Sequence, residues 1–213
     1  MIVKQFHTGG DRNFGYLIMD EASAQAAIVD ASYSPEAIVA FALEKGHRIS
    51  YVLSTHGHGD HTNGNRTVER LTGVRALLWG DRDPRTGSTV GDGARFPLGG
   101  LEIEVIHTPG HSDDSICLRV GHAVFTGDTL FVGKVGGTDL GAGAEAEYHS
   151  LHDRLLALPD ETRVFPGHHV GVAPESTIGR ERETNPFLLQ PTLEAFIQLK
   201  RDWAAYKLEH GIA

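Results

Sequence analysis

Histidine and aspartate side chains are concentrated in the segment Thr55-His56-Gly57-His58-Gly59-Asp60-His61. His56 and His58 are two residues apart, so their imidazoles point the same way in extended backbone, and a turn can bring Asp60 and His61 beside them. Imidazole nitrogens and carboxylate oxygens are ligands that zinc and similar divalent ions accept in proteins. The spacing therefore predicts a metal site rather than a solvent-exposed run of histidines.

Three later loops each offer one further ligand directly after a short apolar segment. They are His111 in Thr-Pro-Gly-His, Asp128 in Thr-Gly-Asp-Thr and His168 in Phe-Pro-Gly-His. The histidine-rich segment likewise follows an apolar run that ends at Ser54. Loops at the ends of neighbouring strands are held in place and can converge on one site. These positions would supply the ligands that a second metal ion needs.

The elements that must position these loops alternate between strands and helices. Period-two and short apolar patterns predict strands over 2–6, 14–19, 24–30, 49–54, 74–78, 101–107, 115–120, 123–126 and 162–165. Helical spacing predicts helices over 35–45, 65–71, 145–158 and about 191–210, the first with Ser34 as its N-cap. Residues 80–100 and 133–143, which are rich in glycine, are predicted to be loops.

Composition narrows the class of protein. The chain has 213 residues, of which 40% are hydrophobic and 22% charged, so we expect one folded domain over 1–213. The net charge of −9 argues against nucleic-acid binding, and the single Cys117 excludes an intrachain disulfide. No apolar stretch approaches the roughly 18 residues of a membrane span, and no secretory signal is visible. We expect a cytoplasmic protein that acts on a small molecule, without a membrane or nucleic-acid partner.

The candidate ligands follow one another along the chain in the order His56, His58, Asp60, His61, His111, Asp128 and His168. This ordered set resembles that of the metallo-β-lactamase superfamily, and the resemblance extends from the first strands to about Asn185. It implies an α/β fold, namely an αβ/βα sandwich of two mixed β-sheets with helices on the outer faces. It also implies a metal site at one rim of the sandwich.

Within the superfamily, the chain is similar to the branch that contains glyoxalase II and persulfide dioxygenase. The shared segments are Thr108-Pro-Gly-His111, Phe125-Thr-Gly-Asp128-Thr-Leu-Phe131, Tyr148-His-Ser-Leu151 and Leu158-Pro-Asp160. The similarity implies two ions, most simply zinc, that share Asp128. One ion would take His56, His58, His111 and Asp128, and the other would take Asp60, His61, Asp128 and His168.

The resemblance implies a metal-dependent hydrolase of a thioester or related activated ester, in which a metal-bound hydroxide attacks the carbonyl. Asp60 would orient the hydroxide as the catalytic residue. The alternative is a persulfide dioxygenase with one Fe²⁺ on His56, His111 and Asp128, a set of two histidines and one carboxylate. A lactonase or another hydrolase of the same fold is a further alternative.

The sequence departs from both relatives where they bind glutathione. Gly137 stands where both carry a basic residue, and Val170 stands where both carry a tyrosine. Lys134 supplies a cation in the same glycine-rich loop at a different spacing. His169, next to His168, is a candidate to face the substrate. The length leaves no room for an extra glutathione-binding helical domain, so the thiol carrier and the acyl group stay open.

Overall fold

Two β-sheets pack face to face with helices on both outer sides in the computed structural model, which describes residues 1–212. The first sheet has five strands, β1 to β5, in sequence order: Ile2–Gly9, Asn13–Asp20, Gln25–Val29, Arg48–Leu53 and Ala76–Leu77. β1, β2 and β3 are antiparallel, whereas β3, β4 and β5 are parallel. The crossovers contain the helices α1 to α3: Pro35–Glu44, Gly59–Thr62 and Asn65–Thr72.

The second sheet has six strands in the order β13-β12-β9-β8-β7-β6. Strands β6 to β9 span Arg95–Leu98, Leu101–His107, Ile116–Val120 and Ala123–Gly127, and β12 and β13 span Arg163–Pro166 and Ser176–Thr177. A separate two-stranded ribbon consists of β10, Leu130–Phe131, and β11, Lys134–Val135. Only β12 and β9 pair in parallel, so this sheet is also mixed.

Helices of the second half pack on the outer face of the second sheet. They are α4, α5 and α6, which span Ala142–His149, Ile178–Thr184 and Leu193–His210, and a π-helical segment, Ser150–Leu155, that continues α4. None of the helices within residues 1–212 is long and apolar enough to cross a membrane.

Three apolar layers hold the sandwich together. The central layer lies between the sheets and includes Phe14, Tyr16 and Phe125. One outer layer joins the first sheet to its helices through residues such as Ile38 of α1. The other outer layer joins the second sheet to its helices through residues such as Phe196 of α6. Each fully buried side chain of this size contributes roughly 1.5–3 kcal/mol. The layering confirms the αβ/βα sandwich that the resemblance implies.

The ligand-bearing loops follow the carboxyl ends of four strands, β4, β7, β9 and β12. β7 and β9 both run antiparallel to β8, and β12 runs parallel to β9, so these ends meet at one edge of the second sheet. Two backbone hydrogen bonds join the sheets there, from Ile116 N to Thr55 O (2.8 Å) and from Phe14 N to Gly167 O (2.8 Å). The fold therefore brings both halves of the ligand set to one rim.

Several local predictions need correction. The segment 80–100 contains strand β6, and the glycine-rich segment 133–143 contains β11 and the start of α4. The predicted helix over 145–158 is α4 followed by π-helix, because helical spacing does not distinguish the two hydrogen-bond patterns. Ser34 occupies the N-cap position of α1 as predicted, but its hydroxyl donates to Thr8 O and makes no capping hydrogen bond. The C-terminal helix is confirmed, and it begins where Thr192 Oγ1 accepts a hydrogen bond from Ala195 N.

Candidate metal centre

Histidine and aspartate side chains from both sheets meet at the rim of the sandwich. They form three overlapping groups in which all potential ligand atoms lie within 4.8 Å of one another. The members are His56, His58, Asp60, His61, His111, Asp128 and His168. The structure therefore brings together every side chain that the sequence predicts as a metal ligand.

The histidine subsite consists of His56, His58 and His111. His58 Nδ1 lies 2.9 Å from His56 Nε2 and 3.0 Å from His111 Nε2. Zinc–nitrogen bonds of about 2.0–2.1 Å in a tetrahedron place the nitrogens about 3.3 Å apart. Asp128 Oδ2, 3.6 Å from His111 Nε2, is in position to complete this set. The spacing of the four donors thus fits one tetrahedral ion.

The mixed subsite consists of Asp60, His61 and His168. The Nε2 atoms of His61 and His168 lie 3.1 Å apart. Asp60 Oδ2 lies 3.6 Å from His61 Nε2 and 3.3 Å from His168 Nε2. This triangle has the size of one face of a tetrahedral site.

Asp128 lies between the two subsites and contacts both. Its Oδ1 is 3.3 Å from His61 Nε2, and its Oδ2 is 3.4 Å from His168 Nε2. Oδ2 also faces His111 of the histidine subsite. Oδ1 is buried, and no donor within residues 1–212 satisfies it in hydrogen-bond geometry. A shared carboxylate in this position fits a bridge between two cations.

The other ring nitrogens fix how the imidazoles face one another. The Nδ1 atoms of His61, His111 and His168 lie 2.8–2.9 Å from acceptors, namely Asp30 Oδ2, Gly137 O and Asp11 O. A neutral imidazole that donates through Nδ1 carries a lone pair on Nε2. The lone pairs of His61 and His168 then face each other, which is stable only if a proton or metal ion lies between them. The donor set therefore fits a metal ion.

Asp30 is a functional residue that the sequence analysis missed. Its side chain is buried, and its carboxylate oxygens accept hydrogen bonds from Thr55 N and Thr55 Oγ1 at 2.8 Å and lie 2.9 Å from His61 Nδ1. It has a left-handed φ of +53°, which aspartate tolerates better than most residues. Such outer carboxylates orient a metal-binding imidazole and raise its basicity. In the sequence, an aspartate after a strand is indistinguishable from a turn residue.

Asn13 is a second residue that the sequence did not reveal. It is fully buried at the start of β2, and its Nδ2 donates to Asp60 Oδ2 over 2.9 Å. The same nitrogen lies 3.4 Å from His168 Nε2. Asn13 therefore orients Asp60, although 47 residues separate the two along the chain.

Burial and neighbouring charges shift the pKa values of the cluster in opposite directions, so that its members differ in protonation state. Burial lowers the pKa of His61, but Asp30 and Asp128 outweigh it and raise the pKa to about 11. Burial, aided by His61, lowers the pKa of His56 to about 4. Burial would raise the pKa of Asp128, but the close imidazoles of His168 and His61 outweigh burial and hold this pKa well below its usual range. Without metal, the rim thus holds charge pairs that a divalent cation would replace.

The positions expected to face a substrate differ in their surroundings. Gly137 is exposed, and a Cβ built on it would meet no atom within 4 Å, so the space for a basic side chain is open. Val170 is half-buried and lines a groove beside the rim. His169 stacks on Phe14 with ring centroids 5.5 Å apart and also packs against His7, so its ring is engaged in an aromatic cluster.

Comparisons with known proteins agree with the fold. The model of the metallo-beta-lactamase superfamily matches residues 13–78 and 76–168. A hydroxyacylglutathione hydrolase of Polaromonas sp. is 37% identical over 79% of this chain and 66% of that protein. The crystal structure of ETHE1 from Myxococcus xanthus is 32% identical with a TM-score of 0.86, covering 95% of this chain and 91% of that chain. The crystal structure of TTHA1623 in a di-iron-bound form is 31% identical with a TM-score of 0.71, covering 87% and 100%.

The chain spans 55% to 66% of the length of three of its curated relatives. The shared part nevertheless contains the whole candidate centre, because the segments matched by the family model run from Asn13 to His168. Since these segments hold every candidate ligand and the same fold recurs in the matched structures, the chain belongs to the metallo-β-lactamase superfamily.

Proposed function

We propose that the chain is a metal-dependent hydrolase of a thioester or related activated ester, and that it works with two zinc ions. The observation that carries the proposal is the pair of donor sets that share Asp128. A site for one ion would not need the mixed subsite. The Polaromonas relative, named as a hydrolase of an acylated glutathione, supports the substrate class, and the di-iron form of TTHA1623 supports two ions.

Two bound zinc ions would lower the pKa of a water towards about 7 and polarise the scissile carbonyl. Asp60 would orient that water, because Asn13 fixes one of its carboxylate oxygens and its side chain is one-third exposed at the rim. In the reaction, the oxygen of a water that has lost one proton to solvent would bond to the acyl carbon, and the carbon–sulfur bond would break. The thiol would leave as a thiolate, and the remaining water proton would pass to solvent as the acid product ionises to a carboxylate.

The leaving group explains why the rim needs no dedicated general acid. A thiol has a pKa of about 8.5, so its thiolate leaves at neutral pH with little help from a proton donor. The imidazoles whose Nδ1 atoms face fixed acceptors, such as His61 and His168, have their Nε2 atoms directed at the donor cluster rather than at a substrate. The rim therefore suits a thioester better than an amide.

The second candidate function is a persulfide dioxygenase with one iron. The likeness to ETHE1 favours it, and His56, His111 and Asp128 would supply two nitrogens and one carboxylate. In that case the mixed subsite would not hold an ion. A cytoplasmic location and a single domain over 1–213 stay predictions from the sequence.

His61→Ala separates the two candidates, because His61 belongs only to the mixed subsite in the two-zinc assignment. We expect this variant to lose one of two ions and at least 99% of thioesterase activity, since a positioned metal and its ligands act as a unit. His122→Ala, at an exposed turn, is the matched control and should behave as wild type. A variant that keeps all its metal and consumes oxygen on a persulfide would favour the dioxygenase. Thioester, lactone and persulfide substrates should be assayed side by side.

A further inference from the structure

The groove that Val170 lines lies beside the metal centre, and all the charged side chains that line it are basic. This cavity, which we call the basic groove, has a volume of about 560 Å³ and contains the side chains of Arg12, Lys134 and Lys207 beside the indole of Trp203. No aspartate or glutamate within residues 1–212 lines it. Because the chain as a whole carries a net charge of −9, this concentration of cations runs against the overall composition.

The basic groove is connected to the metal centre through short stretches of backbone. Arg12 O accepts a hydrogen bond from His169 N over 2.9 Å, and the neighbouring Asp11 O lies 2.8 Å from His168 Nδ1. Asn13, the next residue after Arg12 in the chain, donates a hydrogen bond from its Nδ2 to Asp60 Oδ2. Consecutive Cα atoms are about 3.8 Å apart. The groove therefore lies next to the mixed subsite, since Arg12 and Val170 of its lining are one and two residues from Asn13 and His168.

Lys134 is the most constrained cation of the groove. It lies in strand β11, paired with Phe131, and its backbone oxygen accepts a hydrogen bond from Asn185 Nδ2. Its side chain is half-buried, and within the described residues no carboxylate lies within 4.0 Å of its ammonium group. Arg12 has an exposed partner, Asp11, at 3.5 Å, which sits outside the lining. Lys134 therefore offers a positive charge that no carboxylate of the groove lining pairs with.

The chemistry of the lining selects among anionic ligands. Lysine and arginine side chains bind phosphate oxygens, arginine in a bidentate manner. A zwitterionic peptide thiol such as glutathione also carries an ammonium group, which would meet no carboxylate on this lining. A phosphate-bearing carrier has only negative charges to place, and an indole face such as that of Trp203 accepts a flat ring. The lining thus favours phosphates over amino-acid headgroups.

We propose that the basic groove binds the phosphate groups of the thiol carrier, so that the substrate is a thioester of a phosphate-bearing thiol. This inference rests on the proposed thioester hydrolysis. It also accounts for Gly137 and Val170, since a carrier held by Lys134 and Arg12 does not need side chains at those two positions. The carrier would bind in the basic groove, which lies next to the mixed subsite.

The test compares one acyl group on three thiols, namely coenzyme A, glutathione and the neutral N-acetylcysteamine. With the metal-loaded protein, we expect the lowest KM for the coenzyme A ester. Lys134→Gln should raise that KM about tenfold with little change in kcat, because a hydrogen bond to a charged group is lost. The same variant should leave the KM of the neutral ester unchanged. Lys45→Gln, on the remote end of α1, is the matched control.

A binding measurement separates failure of this inference from failure of the proposed function. Calorimetry with S-methyl coenzyme A, which offers no thiolate to a metal, should show binding that Lys134→Gln weakens about tenfold. If no thioester is hydrolysed, the proposed function fails, and calorimetry alone decides whether the groove binds phosphates. Equal KM values for the neutral and coenzyme A esters, or a Lys134-dependent preference for glutathione, would overturn the phosphate assignment while the hydrolase stands.

Discussion

Replacing Asp30 by asparagine should weaken metal binding at the mixed subsite by one to two orders of magnitude. The Asp30 carboxylate has donors on both oxygens, Thr55 N on one and Thr55 Oγ1 with His61 Nδ1 on the other. Asparagine keeps the shape and also tolerates the left-handed backbone, so the change isolates charge and hydrogen bonding. In either orientation of the asparagine amide, its NH₂ group would face a donor, either Thr55 N or His61 Nδ1.

The magnitude follows from the loss of the carboxylate–imidazole contact. Removing such an outer partner costs about 10- to 100-fold in metal affinity. Because one factor of ten corresponds to about 1.4 kcal/mol, the expected loss is about 1.4–2.8 kcal/mol per ion. Within the described residues, Asp30 makes no hydrogen bond to His58 or His111 of the histidine subsite. The ion of the histidine subsite should therefore be retained more firmly than that of the mixed subsite.

The assay is dialysis of zinc-loaded protein against a series of chelator concentrations, with elemental analysis of zinc per chain. Asp30→Asn should release one ion at a 10- to 100-fold lower chelator strength and retain the other. Asp83→Asn is the matched control, since Asp83 is equally buried but bonds to Arg85 and Thr86. Identical release curves for Asp30→Asn and wild type would refute the assignment of Asp30 as the residue that orients His61.

Three further predictions follow from the same contacts. The pKa of His61 in the metal-free fold, about 11, lies above its unfolded value near 6.5, so its stabilising contribution is complete below pH 6.5 and declines as pH rises towards 11. Thermal unfolding should show the Tm of metal-free protein falling from pH 6.5 to 9.5, and that of the zinc form changing much less. Lys200→Met should lower the free energy of unfolding, measured in urea, by about 3–5 kcal/mol, because it leaves the buried Glu147 without its cation. The double variant that also carries Glu147→Gln should recover part of the lost stability. Full stability of Lys200→Met alone would contradict the pairing of Lys200 with Glu147. Asn13→Ala should lower kcat about tenfold when measured at saturating zinc, because it frees Asp60, and an unchanged kcat would exclude that role.

The ligands could be predicted from the sequence because their signals are local. His56, His58, Asp60 and His61 lie within six residues, and the later ligands each follow an apolar run with a turn. Strand patterns are also local, so most of β1 to β9 was predicted with small errors at the ends. The sandwich of two mixed sheets came with the resemblance, whereas the order of strands within each sheet was not predicted.

Contacts between distant segments could not be predicted. Asp30 and Asn13 act on residues 31 and 47 positions away, and nothing around them distinguishes them from ordinary turn residues. Ser34 lies at the N-cap of α1 as its sequence context predicts, but its hydroxyl donates to Thr8 O, 26 residues away, instead of capping the helix. Helix α5 was missed because its sequence is highly polar, and packing of Ile178 against the second outer layer stabilises it.

The basic groove shows the same limitation for substrate recognition. Lys134 stands out in the sequence only as a cation at an unexpected spacing, and Lys207 lies on a helix 73 positions later. Only the packing of α6 beside the β10–β11 ribbon places both side chains in one cavity. The proposed recognition of the carrier therefore depends on the tertiary structure.

The proposed hydrolase activity depends most directly on whether two ions act together at the rim. Metal-free protein should be titrated with zinc while thioester hydrolysis and bound zinc are followed in the same samples. The shared Asp128 predicts that activity rises steeply only after the first equivalent and reaches its maximum at about two zinc ions per chain. Full activity with one ion, or one tightly held iron with oxygen uptake on a persulfide and no thioester hydrolysis, would contradict it.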